Sequence, residues 1–360
     1  ARGALLSALV HFFENRRWGS PVESGVEGQS LSAEDQLFIL LQSALYLSVA
    51  LGTQASEVRI CYERAQSLCH SLNRPQLLCL ALIGQWRFSL VTDKLTATMQ
   101  IAKRIYAMAQ EQDDPTLKIW GYNTLACTLY WSGDFETARQ FAMHGVQIWR
   151  SGGGESHPED VDTPVVGCLC YKALSEWHLG EIASSDATMA ESIALAKELK
   201  DMHALAVALF FAADLAHCER NPAEAESLAS ELIELSTRQN FAFWLACGEV
   251  SRGWARSASG DTDQGIAWID DGIRDYRATG SILGVPCWLV LKAEALHLAN
   301  RTSEALAAIA EAEAVAQRTE ERESFAELHR LRGVFLTRLG ADEVQIEGAF
   351  RAAIRTAKEQ

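Results

Sequence analysis

The chain has 360 residues, of which 48% are hydrophobic, and a formal net charge of −15 at pH 7. This acidic balance argues against nucleic-acid and anionic-membrane partners, because both are bound by basic surfaces. No apolar run reaches the ~18 residues of a membrane span, and nine cysteines without a CxxC pair favour a reducing cytoplasm over a disulfide framework or a zinc site.

Residues 1–35 are predicted to form an N-terminal helix and loop that pack on the following domain. The stretch "ALLSALVHFF" (4–13) predicts an amphipathic helix over about 3–17, and the Gly- and Ser-rich stretch 18–35 predicts a loop. Ser32 is the predicted N-cap of the next helix, with Asp35 three residues on. Because the chain starts with Ala1, we also expect it to be part of a longer protein.

Residues 36–360 carry a repeat of about 40 residues. One column of turn residues has spacings of 47, 40, 40, 40 and 40: Gly133, Gly180, Arg220, Gly260, Asn300 and Gly340. Small residues recur seven positions before this turn and five positions after it, where two paired helices would come close together. One helical repeat cannot bury its apolar face alone, but a stack of repeats can.

The sequence therefore predicts an all-α, right-handed α-solenoid of eight helix-turn-helix repeats resembling tetratricopeptide (TPR) repeats. The segment 121–142 fits that repeat pattern best. The predicted repeats span 36–74, 79–112, 119–152, 166–199, 206–239, 246–279, 286–319 and 325–358.

The 47-residue step marks an insertion, "SGGGESHPEDVDTP" (151–164), between the third and fourth repeats. No Gly-Lys-Ser/Thr follows its glycines, so it is not a phosphate-binding loop. A metal site at His157 and the neighbouring acids is the less favoured interpretation, because acids in such loops are usually solvated. We expect the insertion to act as a lid or contact loop beside a groove.

The first helix of each repeat is predicted to line the concave face. Positions thirteen, ten, six and three residues before each turn share that face. Aromatic rings alternate there with a few polar groups: Arg87, Trp120, Asn123, Tyr130, Trp177, Phe210, Asp214, His217, Trp254, Glu294 and His297. Such a wall suits a small molecule or a peptide, although packing between long helices would explain the same tryptophans equally well.

Four segments resemble the C-terminal TPR region of large bacterial signalling proteins. Those proteins carry a class III adenylate/guanylate cyclase domain and a predicted AAA-type ATPase domain upstream. The likeness runs from about residue 2 to the end and departs at 151–163. It is carried by "PVVGCLCYKAL" (164–174), "FAFWLACGEVSRGWARSASGD" (241–261), "GIAWIDDGIRDYRATGS" (265–281) and "ESFAELHRLRGVFL" (323–336). The resemblance implies a regulatory array that passes a binding event to enzymes elsewhere in the parent chain.

The sequence thus predicts a non-catalytic regulatory module that binds a protein or peptide, or the upstream cyclase/ATPase domains of the same chain. A small-molecule sensor is the alternative. A stand-alone enzyme is the weakest hypothesis, because the sequence has no GxGxxG, GxSxG, HExxH or Walker lysine. No cofactor and no metal are expected.

These three hypotheses predict different interiors. An interaction module should have an extended open groove. A sensor should have a closed pocket walled by Trp120, Trp177 and Trp254. An enzyme should have a tight acid–base cluster, for instance Asp214 with His217 and His297.

Overall fold

The computed structural model describes residues 32–51, 56–152 and 163–360. Within these ranges the chain forms sixteen α-helices and no strand. In chain order they are α1 (Ala33–Leu51), α2 (Ser56–Ser71), α3 (Pro75–Thr92), α4 (Leu95–Gln110), α5 (Pro115–Trp131), α6 (Phe135–Arg150), α7 (Pro164–His178), α8 (Ile182–Leu199), α9 (Met202–Cys218), α10 (Pro222–Gln239), α11 (Ala242–Ala258), α12 (Thr262–Ala278), α13 (Val285–Leu298), α14 (Thr302–Thr319), α15 (Phe325–Arg338) and α16 (Glu343–Glu359).

Consecutive helices pair into eight helix-turn-helix repeats, from α1–α2 to α15–α16, and each pair packs on the next. The predicted all-α, TPR-like solenoid is therefore confirmed. The predicted helix over 3–17, the loop as far as residue 31 and positions 153–162 of the insertion lie outside the described residues. None of the sixteen helices is both long enough and apolar enough to cross a membrane.

The turn residues that are predicted to occupy equivalent positions in the repeats share one backbone conformation. Gly133, Gly180, Gly260 and Gly340 all have positive φ, between 68° and 106°. Glycine adopts this left-handed conformation without a steric penalty, and it ends the first helix of the repeat. Arg220 and Asn300 adopt it at 60° and 61°. The second repeat departs from the column, because Asp93 has an extended φ of −111°.

The predicted columns of small residues are the points where paired helices touch. A Cβ added to Gly265 would lie 2.4 Å from the carbonyl oxygen of Gly253, so α11 and α12 meet backbone to backbone. In the fourth repeat, the hydroxyl of Ser185 donates a hydrogen bond to the carbonyl of Ala173 at 2.8 Å. These contacts fix the angle within each repeat and therefore the direction of each inner face.

The predicted cap at Ser32 is confirmed. Its Oγ accepts a hydrogen bond from the Asp35 N–H at 3.1 Å and donates one to the Asp35 carboxylate at 2.6 Å. This reciprocal pair satisfies one of the backbone N–H groups that a helix start leaves unpaired. The helices α5, α6, α9 and α10 also begin with a residue whose side chain accepts a hydrogen bond from a backbone N–H of the first turn.

Two loops, 279–284 and 320–324, turn onto the concave side and close the solenoid on itself. We call them the crossing loops. The Ile282 N–H donates to the Val91 carbonyl at 2.8 Å, and the Arg322 N–H donates to the Trp131 carbonyl at 2.9 Å. The loops also bind each other, since the Gly284 N–H donates to the Glu321 carboxylate at 2.8 Å. These contacts join the second and third repeats to the last three, and they divide the concave interior.

Candidate functional site

The first part of the interior is a cavity that we call the aromatic cavity. It lies between α3, α5, α7, α9, α11 and α13 and the crossing loop 279–284, and its volume is about 170 Å³. For comparison, a protein cavity of ~150 Å³ holds one benzene molecule. Ala242, at the start of α11, lines the cavity and is exposed, so the cavity reaches the surface there. Its largest rings are the five indoles of Trp86, Trp120, Trp131, Trp244 and Trp288.

Polar groups of this wall are mostly bonded within it. The indole N–H of Trp86 donates to Thr128 Oγ1 at 3.0 Å, and the indole N–H of Trp244 donates to His203 Nε2 at 3.1 Å. The guanidinium of Arg87 lies 4.7 Å from the centre of the Trp120 ring, within cation–π range. The cavity therefore presents mainly carbon surface to a bound group.

Asn123 Oδ1 and Trp131 Nε1, both in this wall, are buried without a hydrogen-bond partner among the described residues. The Asn123 side chain is buried as a whole. Gly167 makes room for it, because a Cβ at position 167 would lie 2.6 Å from that oxygen. A buried acceptor without a partner costs ~1–3 kcal/mol. This oxygen is itself enclosed, so a ligand would recover this free energy by donating a hydrogen bond to it after a small rotation of the Asn123 side chain.

The second part of the interior, which we call the polar cavity, has a volume of about 660 Å³. It lies between the C-terminal ends of α7 and α9, the start of α13, the crossing loop 320–324, α15 and α16. Its titratable lining residues are His178, Asp214, His217, Cys218, Arg220, Cys287, Glu323, Glu327 and Arg330, and Ser324 and Gln360 also line it. Acids, bases and two thiols thus face one space.

Glu294 does not line the polar cavity, but it holds two of the lining side chains, His217 and Arg220, in place. Its carboxylate accepts hydrogen bonds from the Trp254 indole at 2.8 Å, from His217 Nε2 at 3.3 Å and from Arg220 at 2.5 Å. Burial alone would raise the pKa of Glu294, but the bonds and charges of His217 and Arg220 outweigh it and lower the pKa to about 2. Arg220 continues to Glu327 at 3.1 Å.

Three further acids lie at or near this cavity: Glu321 is buried, and Asp214 and Glu323 are partly buried. Burial raises the pKa of Asp214, against the opposing charge of His217. Burial also raises the pKa of Glu321 to about 7. The pKa of Glu323 is well above its ordinary value, first through burial and then through the charges of Asp214 and Glu321. Burial lowers the pKa of His178 to about 3. Desolvation thus favours the neutral forms of these groups.

The structure distributes most of the predicted site residues between the two cavities. Arg87, Trp120, Asn123 and Phe210 line the aromatic cavity. Trp177, Asp214 and His217 line the polar cavity. The predicted pocket walled jointly by Trp120, Trp177 and Trp254 is therefore wrong. The predicted extended groove is also wrong, because the crossing loops divide it.

Four predicted site residues line neither cavity. Tyr130 is 1% exposed and packs against Phe135 and His178. Trp254 is 3% exposed, and with Glu294 it forms the support behind the polar cavity. His297 contacts Thr302 Oγ1 at 3.1 Å, so the predicted cluster of His297 with Asp214 and His217 is wrong.

Sequence reasoning missed Trp86, Trp131, Trp244 and Trp288 in the aromatic cavity. Trp244 stands sixteen residues before its turn, one helical turn beyond the positions considered. It also missed Glu321 and Glu323, because an inter-repeat loop was not expected to enter the interior. The acidic turn "TEERES" (319–324) was the visible signal.

Comparison with known protein families finds none that matches this chain. An uncharacterized protein of Rhizobium meliloti (strain 1021) is 25% identical over 199 residues, which make up 55% of this chain and 19% of that protein. This chain therefore matches about a fifth of the length of that relative.

Solved structures of the same fold are more distant in sequence. A Rap protein complexed with Competence and Sporulation Factor has a TM-score of 0.62 at 12% identity, covering 90% of each chain. Aspartyl phosphate phosphatase F from Bacillus subtilis has a TM-score of 0.55 at 11% identity, covering 91% of this chain and 85% of its own. NprR in complex with its cognate peptide NprX has a TM-score of 0.54 at 14% identity, covering 85% of each. These likenesses show a TPR-like helical-repeat fold.

Proposed function

We propose that this chain is a non-catalytic regulatory module that binds a short peptide segment of a partner through the aromatic cavity. The observation that carries the proposal is the unpaired Oδ1 of Asn123 in an aromatic wall. A peptide offers an apolar side chain and a backbone N–H, the two groups that would complement this wall. One apolar side chain fills the volume, and a backbone N–H donates to the carboxamide oxygen.

The surroundings of the cavity favour a short peptide segment of the partner over a long one. The crossing loops occupy the concave face on one side, and the cavity reaches the surface at Ala242 on the other. A chain end or a tight loop of a partner would enter there with one anchor residue. The solved complexes of similar fold include one with a cognate peptide, which is consistent with this class of ligand.

The geometry gives less support to the enzyme hypothesis. The acid–base cluster given as its example needs His297 beside Asp214 and His217, but His297 bonds to Thr302. Glu294 lies behind the polar cavity and is committed to three donors. We therefore assign no reaction to this chain.

The wider setting that we propose is a multidomain signalling protein of the cyclase- and ATPase-linked type. The Rhizobium relative supports a longer parent chain, because the matched region is 19% of its length. Sequencing the genomic DNA that flanks the coding segment tests this setting. An in-frame cyclase or ATPase domain would support it, and a stop codon directly before the repeats would contradict it.

Selection from a random hexapeptide phage library on the immobilised chain tests the peptide function. We expect the selected peptides to share one aromatic or large aliphatic residue. Their affinities would then be measured by fluorescence anisotropy with the wild type and Asn123→Leu. Losing the hydrogen bond should weaken binding ~5- to 100-fold, while replacing a buried oxygen that has no partner should cost little folding stability.

Met143→Ala is the matched control, because Met143 is 46% exposed on α6 and lines neither cavity. Its affinity for the selected peptides should equal that of the wild type. Equal binding by Asn123→Leu would contradict the proposal. A small-molecule adduct retained in native mass spectrometry, together with no enriched peptide, would instead favour the sensor hypothesis.

A further inference from the structure

Three potential metal ligands meet at the end of α9. One ligand atom from each of Asp214, His217 and Cys218 lies within 4.8 Å of the others. The imidazole Nδ1 of His217 is 3.9 Å from the Cys218 sulfur. Asp214 lies one helical turn before both residues and therefore on the same side of the helix. The sequence predicted no metal here, since no ligand motif marks these positions.

The tautomer of His217 suits metal binding. Its Nε2 is 3.3 Å from the Glu294 carboxylate, which is paired with the Arg220 guanidinium and accepts the Trp254 indole N–H. A carboxylate accepts but does not donate, so Nε2 carries the hydrogen. The neutral ring then has its lone pair on Nδ1, the nitrogen that faces Cys218.

Glu294 itself is held in place by two other donors. The Trp254 indole binds one carboxylate oxygen at 2.8 Å, and Arg220 binds the other at 2.5 Å. Metal-binding histidines commonly donate their second N–H to a carboxylate, which fixes the ring and strengthens it as a ligand. His217 and Glu294 have this relationship before any ion is present.

We propose that Asp214, His217 and Cys218 bind a divalent transition-metal ion of the zinc class, with its fourth position facing the polar cavity. A sulfur, nitrogen and oxygen donor set favours such ions over magnesium or calcium. Bonds of ~2.0–2.3 Å to each ligand require small side-chain rotations from the present spacing. The cavity, of about 660 Å³, leaves room for water or another ligand at the fourth position.

Binding follows a simple balance of charge and protons. The Cys218 sulfur forms a bond to the ion and releases its thiol proton to solvent, and His217 binds through Nδ1 without losing a proton. Asp214 binds as the carboxylate, and any proton that it carries in the ion-free chain is released to solvent with that of Cys218. A divalent ion and two anionic ligands then give a neutral site, which suits this partly buried position.

The site would couple α9 to distant repeats. Glu294, the partner of His217, lies on α13. Arg220 joins Glu294 to Glu327 on α15. An ion at α9 thus fixes one end of a hydrogen-bonded chain that spans three repeats.

Titration of the full-length, reduced and chelator-treated chain with Co²⁺ tests the proposal. We expect one equivalent to saturate a thiolate-to-cobalt charge-transfer band, which Zn²⁺ then displaces. Cys218→Ser should abolish the band, and Cys69→Ala should retain it, since Cys69 is a buried thiol on α2 away from the site. Circular dichroism would confirm that each variant is folded.

Glu294→Gln tests the positioning role of Glu294. It should weaken Co²⁺ affinity ~10- to 100-fold while the band at saturation keeps its intensity, because the three ligands remain. No saturable band in the wild type would overturn the proposal, and so would a band that survives Cys218→Ser. Peptide binding through Asn123 is independent of either result.

Discussion

The two cavities share the helices α7, α9 and α13, yet their chemistry is opposite. In the sixth repeat, Trp244 lines the aromatic cavity from the start of α11, and in the fourth and fifth repeats Tyr171 and Phe210 line it from the middle of the first helix. Positions near its end, such as Asp214 and His217, line the polar cavity. The position of a residue along the helix, as well as the helix face on which it lies, therefore decides which cavity it lines.

The cavities also differ in how their polar groups are satisfied. In the aromatic cavity, an acceptor on Asn123 is unpaired within carbon surface. In the wall of the polar cavity, His217 and Arg220 share the Glu294 carboxylate. The first arrangement favours one hydrogen-bonded apolar group, and the second favours a charged ligand such as a cation.

The largest effect is expected for Trp254→Ala, which tests whether Trp254 supports the polar cavity from behind or lines a binding site. Trp254 is 3% exposed and donates to Glu294, so its removal leaves a void beside a buried carboxylate. Chemical denaturation should show a loss of ~3–5 kcal/mol in the free energy of unfolding. Binding of selected peptides should be unchanged in buffer without denaturant. A normal stability with weakened peptide binding would place Trp254 in the site after all.

Glu321→Gln probes the boundary between the cavities. The pKa of Glu321 is about 7 in the folded chain against an ordinary 4.5, which corresponds to ~3 kcal/mol at ~1.4 kcal/mol per pH unit. Because the folded pKa is raised, this stability is fully present below pH 4.5 and is lost as the pH rises to about 7.

Denaturation between pH 4.5 and 7 should therefore show a smaller decrease in stability for Glu321→Gln than for the wild type. Some decrease should remain, because Glu323 is shifted in the same direction. Identical pH profiles for the two chains would contradict the buried position of Glu321.

The smallest effect is expected for Arg87→Gln in the aromatic cavity. The Arg87 guanidinium lies 4.7 Å from the Trp120 ring, and such contacts contribute ~0.5–1 kcal/mol. Affinity for selected peptides should change by a few-fold at most, measured by anisotropy. Arg87→Lys keeps the cation and should lose less. A loss as large as that of Asn123→Leu would mean that Arg87 contacts the peptide directly.

The repeat itself could be predicted because its constraints are local. A left-handed turn favours glycine at Gly133 and Gly180, and a backbone contact requires small residues at Gly253 and Gly265. Such requirements place the same type of residue at a fixed spacing along the sequence. The cap at Ser32 is equally local.

The division of the interior could not be predicted, because it depends on contacts between distant repeats. The bond between Ile282 and Val91 spans most of the chain, and no periodic pattern encodes it. For the same reason Trp254 was assigned to a groove, although its inward-facing position is covered once the solenoid closes. Glu321 and Glu323 acquire their surroundings only from that closure.

Closure by the crossing loops underlies both proposed sites, and amide hydrogen exchange tests it most directly. The Ile282 and Arg322 amides donate to Val91 and Trp131, so both should exchange as slowly as amides in the middle of α5. Exchange of both at the rate of an exposed loop would show an open groove and would contradict the two-cavity interior.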